Sequence, residues 1–219
     1  MKNKKYKLKK GIFITFEGPE RSGKSTHSRL LANFLKSEGY DILYTREPGG
    51  TELGDNIRKL LLHSREIEIS PLAEALLFEA SRAELVRNVI KPALLKKKIV
   101  ISDRFSDATL VYQGYAGKVP IKDIKALDKI AVNGVNPLLT VLLDIDLKRG
   151  VKKICPGERD RMESKKISFH KKVREGYLRL AEHNKKRIKI IRTKSTIDDT
   201  FREVKKEVMD VVRRYKRTG

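Results

Sequence analysis

Two hydrophobic periods alternate along this chain. Short apolar runs at residues 12–16, 41–45, 99–102, 138–143 and 188–191 read as strands. Runs such as Ile12-Phe13-Ile14-Thr15-Phe16 are apolar on both faces, as strands buried on both sides of a parallel sheet must be. Between the runs, apolar residues recur at three- and four-residue spacing. Leu30, Leu31, Phe34 and Leu35 predict a helix from near Lys24, and Leu53, Ile57, Leu60 and Leu61 predict another over about 51–63. Ser70-Pro71 reads as an N-cap followed by proline in the first turn. The long helix it opens runs to about Lys96, with Pro92 expected to kink or end it. Further helical segments are expected at about 104–116 and 121–133, parted by Gly117 and Pro120, then at about 165–184 and from near Thr196.

Strands alternating with helices imply an α/β fold: a doubly wound, five-stranded parallel sheet with helices on both faces. Ligands of such sheets bind beyond the carboxyl ends of the strands. The polar clusters fall there. The first strand runs into Gly18-Pro19-Glu20-Arg21-Ser22-Gly23-Lys24-Ser25-Thr26, the second into Arg46-Glu47-Pro48-Gly49-Gly50, and the third into Asp103-Arg104-Phe105. Gly18, Gly23, Lys24 and Ser25 complete a G-x-x-x-x-G-K-[ST] loop between a strand and a helix, the context that makes this pattern a nucleoside-triphosphate site. Backbone N–H groups of residues 18–26 and the helix N-terminus would cradle phosphates. Lys24 would reach the β/γ-phosphates, and the Ser25 hydroxyl would ligate Mg²⁺.

At 219 residues the chain suits one α/β domain, spanning 1–219. It contains no apolar run long enough to cross a membrane, and residues 1–10 form a basic extension without a signal peptide's apolar stretch. The lone Cys155 forms no internal disulfide and fits a reducing, cytoplasmic setting. His27, His63, His170 and His183 lack partners at ligand spacing, so no zinc site is expected. The formal charge is +22, and residues 148–219 carry 25 Lys and Arg against 10 Asp and Glu. Such a balance suits nucleic acid or the attraction of anionic nucleotides. Aromatic residues do not interleave the lysines, so solvated helix faces account for most of them and no nucleic-acid partner is expected.

Several of these clusters together resemble the thymidylate kinase family over essentially the whole length. They are Phe16-Glu17-Gly18 through Thr26, Thr45 through Gly50, Phe78 with Arg82, Asp103-Arg104-Phe105, Tyr112-Gln113-Gly114, and Asp160-Arg161. The resemblance implies a P-loop nucleoside-monophosphate-kinase fold with a lid at about 150–164. It implies transfer of the ATP γ-phosphoryl group to dTMP with Mg²⁺, and a homodimer built on the helices around 70–96 and 104–133. It places Arg82 and Arg104 on the acceptor nucleotide. Phe78 falls under the thymine, Thr109 and Gln113 at the pyrimidine edge, and Tyr112 against the sugar's 2′ position. A cis peptide is expected before Pro48. On the residues alone, Arg46, Arg82 and Arg104 suit an acceptor phosphate because a guanidinium fork matches phosphate oxygens in pairs. Glu47 and Pro48 belong to the same turn. Arg82 could equally pair with Glu79 or Glu84, Phe78 could be core, and Asp103 could cap a helix while positioning the metal through water.

Glu17 ends a buried strand, where an idle carboxylate would be costly, and a role between the phosphates is expected. Similar enzymes place an extra catalytic arginine either in the P-loop or in the lid. This chain has Arg21 in the first and Arg159 and Arg161 in the second, with Arg21 the leading candidate. Two other readings stay open on residues alone: a kinase for another nucleoside monophosphate or deoxynucleoside, and a P-loop protein that binds nucleic acid.

Overall fold

The computed structural model describes residues 6–64, 66–146 and 160–216. Its strands are β1 (Ile12–Glu17), β2 (Ile42–Arg46), β3 (Ile99–Asp103), β4 (Leu139–Asp144) and β5 (Ile188–Arg192). They pair in parallel in the order β2-β3-β1-β4-β5. All six residues of β1 and of β4 are buried, yet they serve cores on both faces of the sheet. Ile12, Ile14 and Phe16 pack with Leu139, Val141 and Leu143 against α1 (Lys24–Ser37) and α8 (Ile197–Tyr215). Phe13 and Val100 point the other way, onto Leu85, Val86, Ile90 and Phe105. Leu142 joins a third cluster with Tyr112, Val173 and Tyr177 on that same far side. The period of two thus delivers apolar side chains to both faces, and helices cover both.

The helices start where short polar side chains can satisfy their free N–H groups. Thr51, Ser70 and Thr196 accept from the backbone N–H three residues on, opening α2 (Glu52–His63), α3 (Pro71–Leu85) and α8. The helix beginning at Pro71 does not stop or break at Pro92. It widens first, through a π turn at Val86–Ile90 in which the Lys91 N–H reaches the Val86 carbonyl, and continues as α4 (Lys91–Leu95). Widening the turn accommodates a proline ring that can neither donate nor sit beneath a tight carbonyl. A second π segment, Leu110–Ala116, extends α5 (Ser106–Thr109), and Pro120 precedes α6 (Ile121–Val132). The helix expected at 165–184 is α7 (Ile167–His183).

The basic start of the chain is partly structural. Leu8 is buried in the first core and forms an antiparallel bridge with Lys216, just past α8. Tyr6 stacks near Tyr40, and the Lys216 ammonium lies 3.6 Å from the Tyr6 ring centre.

Candidate active site

Loops leaving the carboxyl ends of β1, β2 and β3 enclose a cleft of about 650 Å³. At one end stands the glycine loop. Gly18 has φ +142°, and a Cβ there would meet the Leu143 carbonyl oxygen at 2.3 Å, so only glycine fits. Arg21 and Gly23 also have positive φ, 59° and 91°. The turn folds Lys24 back so that Nζ donates to the Pro19 carbonyl at 2.7 Å. Burial first, and then the Arg104 charge, push the Lys24 ammonium down to about 8, against the pull of Glu20 and Asp103. An anion entering the loop would relieve that penalty. Ser25 Oγ donates to the Asp103 carboxylate, presenting a hydroxyl and a carboxylate as neighbouring oxygen donors, a set suited to Mg²⁺.

Against the glycine loop, Arg104 sits at the end of β3 in left-handed backbone, φ 70°, and donates to the Gly18 carbonyl at 3.3 Å. Its guanidinium meets Glu20 Oε1 at 2.5 Å and donates to the Tyr112 and Tyr177 hydroxyls, each at 3.1 Å. Tyr112 in turn donates to Glu20 Oε1 at 2.7 Å. Burial pushes the Glu20 carboxyl up, but Arg104 and Lys24 outweigh it and hold the group at about 2. Glu17 lies a layer below, 1% exposed, accepting from the Phe105 N–H at 2.8 Å and from the Tyr177 hydroxyl at 2.7 Å. Burial and the Asp107 charge push its carboxyl up to about 7 against the pull of Arg104. The expected place between phosphates is therefore corrected. Glu17 does not line the cleft; it supports the shell that aims Arg104.

Arg82 lines the cleft but is 1% exposed and already engaged. It donates to Glu47 at 2.9 Å and to Thr109 at 3.0 Å, and pairs with Glu79 at 2.5 Å. Of the two helical partners weighed from sequence, Glu79 takes it, while Glu84 accepts from Asn88. The Glu47-Pro48 peptide is cis. Phe78, Thr109, Tyr112 and Gln113 all line the cleft, as do Arg46, Glu47, Pro48, Asp103 and Thr26.

The closing segment divides. Arg21 pairs with Glu163 at 3.0 Å, and both face the cleft. Arg161 is turned away. It pairs with Glu74 at 2.7 Å and bonds the Leu61 carbonyl at 2.8 Å, so the expectation that it reaches the phosphates is corrected. Its position follows from the buried Glu74, whose other cation, Lys165, stands off at 3.9 Å. Arg159 lies outside the described residues. Sequence reasoning passed over Arg58, which lines the cleft and donates to the Pro48 carbonyl at 3.0 Å, and over Tyr177 and Glu163. The signal for Arg58 was the Pro-Gly-Gly turn, whose carbonyls need an outside donor; Tyr177 is visible only once β1 and α7 are packed together.

A family model described as Thymidylate kinase matches residues 16–204. A thymidylate kinase from Thermoanaerobacter sp. (strain X514) is 42% identical over 209 residues, covering 94% of this chain and 99% of that protein. One from Caldanaerobacter subterraneus subsp. tengcongensis is 47% identical over 173 residues, covering 79% and 83%. The crystal structure of thymidylate kinase from Ehrlichia chaffeensis superposes with a TM-score of 0.75 at 35% identity, covering 91% of this chain and 99% of that one.

Proposed function

This chain belongs to the thymidylate kinase family and transfers the γ-phosphoryl group of ATP to dTMP with Mg²⁺; we propose that the cleft just described does so with the following division of labour. Residues 18–26 hold the ATP phosphates, with Lys24 as the cation among them. Ser25 directly, and Asp103 through water, hold Mg²⁺, which when bound neutralises phosphate charge. Arg104, pre-set by Glu20, Tyr112 and Tyr177, receives the acceptor phosphate, with Arg46 at the rim. Phe78 takes one face of the thymine, Thr109 and Gln113 take its edge, and Tyr112 crowds the 2′ position. Glu47, Pro48 and Arg82 wall this end. Arg21 leaves Glu163 for the transferring group, because its backbone is fixed in the loop. Catalysis here is charge cancellation and alignment, since donor and acceptor are both anions.

The observation that carries the reading is one cleft lined both by Lys24, Ser25 and Asp103 and by Phe78, Thr109 and Gln113. Purified chain given ATP, Mg²⁺ and dTMP, dUMP, dCMP, dGMP or thymidine should make dTDP in preference to every other product. No dTDP with magnesium present would end the reading.

Three further parts belong to it. The chain works as one domain, supported by a core that runs from Leu8 to Val212. It forms a homodimer, supported by Leu72 and Leu76, 50% and 48% exposed along α3, with the exposed Ala80 and Ala83 continuing their line. It acts in the cytoplasm, where ATP and Mg²⁺ are at hand. No described helix is long and apolar enough to cross a membrane.

A further inference from the structure

Gln113 lines the cleft, 1% exposed, with its backbone carbonyl tied to the Val119 N–H at 2.9 Å. A glutamine in this position can present either its carbonyl or its NH₂ to a base, and the two would read opposite hydrogen-bond patterns. A neighbour fixes which. Gln113 Nε2 donates to Glu74 Oε2 at 3.0 Å. Glu74 is 3% exposed, and its other oxygen, Oε1, faces the Arg161 guanidinium at 2.7 Å and the Lys165 ammonium at 3.9 Å. A carboxylate held between two cations accepts only, so the amide nitrogen must turn toward it. Among the described residues, Gln113 Oε1 takes no hydrogen bond and is the atom left for a ligand.

We infer that Glu74 is a positioning residue for specificity: anchored by Arg161, it locks Gln113 with its carbonyl toward the substrate and so selects a pyrimidine bearing an N3–H. This rests on the assignment of the cleft to a pyrimidine nucleotide and adds a determinant that does not touch the substrate. Thymine and uracil offer an N3–H donor to that carbonyl. Cytosine offers a bare N3 acceptor, which would face it lone pair to lone pair. Arg161, which its place in the expected lid suggested for phosphate, acts through Glu74 and Gln113 instead.

The chain of donors makes a definite substitution test. In Glu74→Gln, Arg161 and Lys165 donate only and claim the new amide's carbonyl. Its NH₂ then points at Gln113, which must turn its own carbonyl inward and its NH₂ toward the substrate. kcat/KM for dCMP relative to dTMP should rise by about tenfold or more, the scale of one matched against one mismatched base-edge contact. The dTMP to dUMP ratio should stay within about twofold, because both bases share the imide edge. A merely structural role for Glu74 would lower all three substrates together, and that result overturns the inference.

The same comparison is read without turnover by the thermal stabilisation that dTMP and dCMP give wild type and variant. A protein that makes no dTDP, but is stabilised by dTMP over dCMP and loses that preference in Glu74→Gln, would refute the reaction and keep the inference. Should Glu74→Gln not fold, Arg161→Met decides. The carboxylate then loses its nearer cation and with it its hold on the Gln113 amide, so the preference for dTMP over dCMP should narrow. A preference left as in wild type would overturn the inference.

Discussion

Glu17→Gln isolates one buried proton. Glu17 is 1% exposed, and burial pushes its carboxyl from the ordinary 4.5 up to about 7. Between those values the folded chain keeps a proton that the unfolded chain has released, so stability falls as pH rises through this window. Integrating the two titrations gives a loss near pH 8 that exceeds the loss at pH 5 by about 2.5 kcal/mol. Glutamine mimics the protonated acid: its oxygen can accept from the Phe105 N–H, and its NH₂ can face the Tyr177 oxygen. The variant carries no such proton, while every other titrating group is common to both proteins. Urea unfolding of both at pH 5, 6, 7 and 8 should therefore show Glu17→Gln gaining on wild type by about 2.5 kcal/mol across the series. A difference that stays flat with pH would show that Glu17 does not change charge in this range and would refute the reasoning. The same measurement bears on function. If Glu17 holds a proton below neutrality, the charge that steadies Arg104 comes chiefly from Glu20, held at about 2.

Arg21→Ala should lower kcat by about 100-fold or more while KM for ATP moves far less, since the side chain is assigned to the transferring group rather than to the resting phosphates; steady-state kinetics decide it, and unaltered turnover moves the role to the lid. Arg82→Met strands Glu47 and Glu79 in the interior and should cost about 3–5 kcal/mol, or roughly 6–20 °C in Tm by calorimetry. Asp103→Asn should raise the Mg²⁺ concentration needed for half-maximal rate several-fold at saturating nucleotides, read by metal titration. Leu76→Glu should shift sedimentation toward monomer at micromolar protein; an unchanged profile removes α3 from the interface.

What could be read from residues alone was whatever rests on local physics. The glycine loop between strand and helix, the Ser70 cap and the alternating periods each depend on neighbours within a turn or two, and the structure has them where spacing put them. Pro92 shows the limit of the same rules. A proline forbids a tight helical turn at its own position, but whether the chain stops, bends or widens upstream depends on what Val86 and Ile90 gain by staying in the core. Side-chain assignments failed where long-range partners compete. Arg161 was read from its place in the expected lid, and Glu17 from its place at the end of a buried strand just before the phosphate loop. Their positions are set instead by Glu74, 87 residues away from Arg161, and by Tyr177, 160 away from Glu17. Arg82 shows both at once: its helical spacing to Glu79 was legible, while its bond to Glu47 required β2 and α3 to meet.

The clasp between Leu8 and Lys216 lies before β1 begins, so the length of that strand, about 20 Å at 3.3 Å per residue, separates it from the phosphate loop. Handles grafted near residues 6 and 216 would emerge side by side on the flank remote from the nucleotides. An enzyme tethered to a sensor surface by either one would keep its mouth turned to solution. The two extremities also share a fate: trimming the first ten residues would remove the ring against Lys216 and loosen the last turn of α8 with it.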